Sequence, residues 1–249
     1  MKAAPLDYRL RYFLHVLIVA LGFFAPWNYW LGRHGQPLDP RGTDVWGDLT
    51  MQLGVQNVAL MSNGLLALAI VCAFGGALLR TWGSAYLGAA VVKDSGMHVA
   101  DAPAGIVEAG PFRYVRNPLY LGTFLHALAL CLLMPRSGAI FTIVAIGLMQ
   151  LRLIFVEEPF LETTLGAPYL AYKRLVPRMI PSVRPRIVAA GMKPRWTQAF
   201  VGEIYMWGVA LCFAIFGWRY NATLLTRCVL IALGVSLVTR ALAGDFARK

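Results

Sequence analysis

Residues 51–79 read MQLGVQNVALMSNGLLALAIVCAFGGALL, a run without one charged side chain. Crossing about 30 Å of hydrocarbon takes roughly 20 helical residues, so this stretch is long enough to span a bilayer. Comparable stretches lie on either side. Tyr12 to Gly32 precedes it, with His15 and Pro26 as its only irregularities. It carries no small-residue cleavage site of the signal-peptide kind and reads as a retained span. Pro118 to Pro135 and Ser137 to Val156 follow, then about Phe200 to Trp218 and about Leu224 to Thr239; Arg152, Glu203 and Arg227 intrude on the last three. The expectation is an all-α polytopic integral membrane helix bundle of about six transmembrane helices, because helices satisfy every backbone polar group internally in lipid.

Composition agrees. Across 249 residues 58% are hydrophobic and 14% charged, where a soluble domain carries about a quarter charged residues. The mean hydropathy is +0.60. These values exclude a disordered chain, a collagen, a coiled coil and an ordinary soluble enzyme. Cys72, Cys131, Cys212 and Cys228 each stand alone in apolar runs, so neither a metal site nor a disulfide frame is expected.

The net charge of +11 is informative by position. Lys2, Arg9 and Arg11 mark one terminus, and Arg240, Arg248 and Lys249 the other. The loop from Arg80 to Arg116 adds Arg80, Lys93, Arg113 and Arg116. Residues 173–195 hold Lys173, Arg174, Arg178, Arg184, Arg186, Lys193 and Arg195 with no acid. The remaining loops are poorer, with Arg33 and Arg41 among Asp39, Asp44 and Asp48. Excess Lys and Arg face the cytoplasm, so both termini and both basic loops are expected there. The 173–195 run reads as this topology signal together with attraction to anionic membrane lipids. No nucleic-acid partner is expected, since no nucleic-acid module accompanies it. Three segments result: N-terminal helices 1–79, a core 80–199 and C-terminal helices 200–249.

Two motifs carry the chemistry. In Gly110-Pro-Phe-Arg-Tyr-Val-Arg-Asn-Pro-Leu-Tyr-Leu-Gly122, Gly110-Pro111 is a turn pair. Asn117-Pro118 reads as a helix cap followed by a proline at the first helical position. A helix start flanked by Arg113 and Arg116 suits a carboxylate or phosphate. In the second motif Glu157 and Glu158 stand at the inner boundary of a span, ahead of Pro159. That proline removes a backbone bond to Phe155, and a kink here would leave polar backbone beside two carboxylates. Gln150 and Glu157, seven apart, lie nearly on one face; Arg152 and Glu157, five apart, need not. Carboxylates for an ammonium and a sulfonium, beside a basic helix start for a carboxylate, match the charges of S-adenosylmethionine.

The run GPFRYVRNPLYLG followed by EEPFLETTLGAPYLAYKRLVPRMIP (157–181) closely resembles the membrane methyltransferases of the isoprenylcysteine carboxyl methyltransferase and phospholipid methyltransferase superfamily. The family pattern is Arg-His/Asn-Pro-x-Tyr-x-Gly, then Glu-Glu-x-x-Leu past one span, Leu-Gly-x-x-Tyr-x-x-Tyr and Val-Pro-x-x-Ile-Pro. The resemblance covers residues 80–181, and LRTWGSAYL (79–87) and His98 look like its bacterial branch. It implies 80–199 as a methyltransferase core, with cytoplasmic loops and short helices closing a pocket for S-adenosylmethionine at the cytoplasmic face. That pocket would draw on His98, Ala104, Gly105, Ile106, Val107, Phe112, Asn117, Pro118, Leu119, Tyr120 and Glu157. Asn117 stands where many relatives have histidine. Relatives place an arginine four residues before the first glutamate; here that position is Leu153, with Arg152 one earlier.

The expected activity is methyl transfer to a lipophilic acceptor, isoprenylcysteine carboxyl O-methyltransferase-like, with phospholipid N-methylation as the alternative. Asn117, Glu158 and Arg152 are the candidate catalytic residues, and Glu158 or His98 the base if the acceptor is an amine. Arg80, Trp82 and Arg152 are candidates for holding the acceptor. Two rival readings are an NADPH-dependent membrane reductase of the sterol reductase type and a non-catalytic transporter or scaffold. The transporter would predict paired broken helices in two related halves, which the sequence lacks.

Overall fold

The computed structural model describes residues 5–24, 44–54, 56–87 and 107–246. Among these residues the secondary structure is helical, with no strand and a single isolated bridge between Asp44 and Pro135. In chain order the helices are α1 (Pro5–Phe24), α2 (Val45–Leu53), α3 (Val58–Leu87), α4 (Pro118–Cys131), α5 (Arg136–Leu165), α6 (Ala167–Leu175), α7 (Trp196–Gly202), α8 (Ile204–Phe216) and α9 (Ala222–Phe246). Short 3-10 turns occupy Gly110–Arg113 and Gly217–Arg219.

The all-α membrane expectation holds, with adjustments to the spans. Helices α3, α5 and Ala222–Thr239 of α9 are long and apolar enough to cross a membrane. The pair α7 and α8 qualifies as one further, broken span, interrupted at Glu203. Leu10–Phe24 and Pro118–Cys131 are apolar but shorter. Among the described residues, three helices, or four with the broken pair, thus meet that length and apolarity. At about 1.5 Å per residue the 14-residue α4 covers roughly 21 Å. It stops because Leu132, Leu133 and Met134 turn back onto the carbonyls three residues earlier. Pro135 then forbids continuation.

The run at 51–79 is not one helix either. Helix α2 is capped by Asp44, whose side chain accepts from the Gly47 amide at 2.8 Å, and it closes at Gly54. Helix α3 then starts afresh from Asn57, whose side chain accepts from the Leu60 amide at 2.9 Å. Asn57 is polar yet neutral, so an uncharged stretch conceals this second start. Helix α5 continues past Pro159 to Leu165, so the proline removes one intrahelical bond without ending the helix.

The chain forms two compact units. One comprises residues 13–75, 124–147 and 204–249. Its core is apolar: Leu66, Ala69 and Ala73 of α3 pack with Val209, Ala210 and Phe213 of α8 and with Leu225 and Val229 of α9. The three- and four-residue spacings put each set on one helical face. Gly22 of α1 and Gly138 of α5 let two backbones meet, since a Cβ on Gly138 would lie 2.0 Å from the Gly22 carbonyl oxygen. A buried carboxylate, Asp48, pairs with Arg136 at 3.2 Å. The other unit comprises residues 1–12, 76–123 and 148–203 and carries the candidate site.

Candidate functional site

Residues 107–117 form one wall of the site. Gly110 takes φ +56°, a left-handed conformation that favours glycine, and a Cβ there would meet the Tyr86 ring at 2.4 Å. Pro111 continues the turn, which buries Phe112 and Val115. The Phe112 carbonyl accepts a 2.9 Å hydrogen bond from the Tyr172 hydroxyl. Tyr172 belongs to α6, whose Tyr169, Tyr172 and Val176 form a small buried cluster backed by Leu161, Leu165 and Ile187. Burial pushes both tyrosine hydroxyls well above their ordinary pKa, with the Glu158 charge adding to the effect.

Helix α4 begins at Pro118, as the Asn117-Pro118 pair predicts. The Asn117 carbonyl takes the Leu121 amide at 3.1 Å, while its side-chain amide donates to the Arg178 carbonyl at 3.1 Å. One turn on, the Tyr120 hydroxyl donates to Glu157 Oε2 at 3.0 Å. The first and second motifs thus meet through a direct hydrogen bond.

The two adjacent glutamates have different surroundings. Glu157 is half-buried and holds Tyr120. Glu158 is buried and accepts from Arg178 Nη2 at 2.8 Å and Nε at 3.1 Å, with Arg116 Nη1 at 3.3 Å. The hydrogen bond to Glu158 is the main cause of a raised Arg178 pKa. Arg178 also lies over the Phe155 ring, 5.0 Å from its centroid. Arg116 keeps its buried Nε and Nη1 without hydrogen bonds. A second charged cluster joins Arg80 to Glu203 through two hydrogen bonds of 2.7 and 2.9 Å. Thr123 accepts from Arg80 at 2.8 Å and Ser84 donates to Glu203 at 3.0 Å.

The sequence-predicted residues divide accordingly. Val107, Phe112, Asn117, Pro118, Leu119, Tyr120 and Glu157 fall in one unit, and Tyr120 touches Glu157 directly. His98, Ala104, Gly105 and Ile106 lie outside the described residues. Glu158 is committed to two arginines, an arrangement that suits positioning better than proton abstraction. Arg80 spends its guanidinium on Glu203 and Thr123, which removes it as a ready clamp for an acidic acceptor. The Trp82 ring lies tilted 5.9 Å from that of Tyr114, beside the Gly110 turn. Arg152 is exposed on α5 while its neighbour Leu153 is buried, so the two occupy different faces. Sequence reasoning missed Arg116 and Arg178 as partners of Glu158 and Glu203 as partner of Arg80. One signal was present: ionisable residues inside apolar spans normally pair with one another.

The donor set fits S-adenosylmethionine. Glu157 has an oxygen beyond the one Tyr120 holds, suited to a sulfonium or ammonium. Arg116 offers a buried Nε–H suited to a carboxylate, while its Nη1 lies against Glu158.

The described residues thus combine apolar helices long enough to cross a membrane with a proline-started helix and paired glutamates brought together in one unit. Residues 65–167 match the family model for phospholipid methyltransferases, a family of the superfamily that also includes the isoprenylcysteine carboxyl methyltransferases. No curated protein and no solved structure matches the chain.

Proposed function

We propose that this protein is an S-adenosylmethionine-dependent methyltransferase acting on a lipophilic acceptor, of the isoprenylcysteine carboxyl O-methyltransferase kind. The observation that carries this reading is the Tyr120–Glu157 hydrogen bond, which joins the helix-start motif to the paired-glutamate motif. Glu157 would hold the cationic end of the cofactor, and Arg116, with Asn117 beside it, its carboxylate. When bound, the cofactor supplies an activated methyl group. The chain's own task is to align the acceptor and exclude water, effects worth about 7–11 kcal/mol in favourable cases.

A carboxylate acceptor needs no general base. That suits a site whose buried Glu158 is already paired with Arg178 and Arg116. Phospholipid N-methylation is the second reading, favoured by the description of the matching family model. It requires loss of a proton from the acceptor amine, for which His98 is the remaining sequence candidate. In our reading both termini and the site face the cytoplasm, 80–199 is the catalytic core, and acceptor enters from the membrane.

Two measurements test the proposal. Calorimetry in detergent should show S-adenosylhomocysteine binding to the parent and markedly weaker binding to Glu157→Gln, with both folded; equal binding overturns the assignment of Glu157. Transfer of labelled methyl to a farnesylated cysteine analogue supports O-methylation, whereas label found only in phosphatidylethanolamine derivatives supports the second reading. Binding of NADPH in place of S-adenosylhomocysteine would instead indicate the reductase class.

A further inference from the structure

Residues 177–195 have a composition that the candidate site does not explain. Pro177, Pro181 and Pro185 recur every fourth residue, and Pro194 follows. Each lacks an amide proton and disfavours a helical conformation in the residue before it, so the segment stays extended. Three of its amides bond outward to carbonyls along 108–114. Ser182 donates to Tyr114, Arg186 to Arg113 and Ala190 to Glu108, while Pro177 accepts from Arg116, all within 2.8–3.0 Å. At the far end Arg195 donates to Ala85 at 2.7 Å. The segment is therefore a backbone-anchored strap.

Its side chains are unusual for an anchored segment. Val183 is 98% exposed, Val188 88% and Ile180 82%, which makes them the most exposed large apolar residues described. Arg184, Arg186, Lys193 and Arg195 are exposed among them, and no acidic residue occurs between 173 and 195. Immediately after the strap, Trp196 and Phe200 present exposed rings 6.5 Å apart. Aromatic side chains of this kind concentrate at the headgroup level of membranes. An aqueous surface would not favour three bare aliphatic groups, and an acidic protein partner would leave them without an apolar counterpart. An anionic leaflet satisfies both kinds of side chain, phosphates for the cations and acyl chains for the aliphatics.

We propose that 177–195 is an interfacial strap. Ile180, Val183 and Val188 enter the acyl boundary of an anionic leaflet, and Arg184, Arg186, Lys193 and Arg195 bind its headgroup phosphates. This assignment is independent of the methyl acceptor. Through Arg178 and the bonds to 108–116, lipid contact would steady the same wall that holds Phe112 and Asn117.

The test uses the full chain in nanodiscs of phosphatidylcholine, alone or doped with phosphatidylglycerol. A nitroxide on Val183→Cys, read against the labelled parent, should collide with oxygen more than with a water-soluble nickel chelate in the anionic discs. The preference should fall in the neutral discs. Tryptic cleavage after Arg186 should slow in parallel. Each of Arg184→Gln and Lys193→Gln should weaken that protection about fivefold, the value of one basic residue near an anionic surface. Val188→Cys provides a second position if the first variant fails to insert. Free nickel access in the anionic discs, or the same oxygen preference in both disc types, overturns the proposal.

Discussion

The two units of this protein bury different things. The unit containing Leu66 and Phe213 is built on aliphatic and aromatic packing, with the buried Asp48 paired to an exposed Arg136 among its described residues. The unit containing the site buries Glu158 and Glu203 and answers each with arginine. Breaking a buried pair costs much more than replacing both members, because the survivor is left charged in a poor solvent. Packing defects behave otherwise, since their cost follows the volume lost. Apolar packing thus suffices where helices need only hold together, whereas the site's unit uses ion pairs that fix orientation.

The largest expected effect breaks the charged side of this contrast. Glu203→Ala should destabilise the protein by about 3–5 kcal/mol, since Arg80 would stay buried without its carboxylate. Joint replacement by Arg80→Met and Glu203→Leu should recover most of that loss. Thermal midpoints in detergent measure both; an equally damaging double variant would mean that packing, not charge, governs this position. On the apolar side Leu66→Ala should cost about 3 kcal/mol by leaving a cavity. Leu66→Met should restore stability to within about 1.5 kcal/mol.

These contrasts also explain what the sequence made legible. Local features were readable: the Gly110-Pro111 turn, the Asn117-Pro118 helix start and the apolar stretches are set by neighbouring residues. The break between α2 and α3 was legible in principle, since Gly54 suits a helix end and Asn57 a helix start, but an uncharged run hid it. Ion-pair partners were not readable. Arg80 and Glu203 are 123 residues apart, and nothing in their neighbours distinguishes that pairing from others. Arg178 looked like part of a topology signal because its segment is uniformly basic, yet it spends its charge on Glu158. The sequence reading assigned Glu157 to the cofactor pocket and Glu158 to catalysis, but it did not foresee that Glu158 is held by Arg178 and Arg116.

A smaller effect sharpens the comparison through pH. Burial raises the pKa of Tyr169 and Tyr172, so the folded state resists their ionisation. Their contribution is full below the ordinary tyrosine value of about 10 and declines as pH rises through the folded values. Absorbance titration of phenolate should show these two groups ionising late, together with unfolding of their unit. Tyr172→Phe should remove part of that late step; an unchanged titration would contradict the buried cluster.

Glu158 grips Arg116 on one side and Arg178 on the other, so a single carboxylate rivets two loops that lie far apart in the chain. Loops joined in this way are inherited as a set. A chimera that borrowed 107–117 from a different protein of similar sequence would need the donor's counterpart of 177–190 as well, or it would carry a cation with nowhere to go.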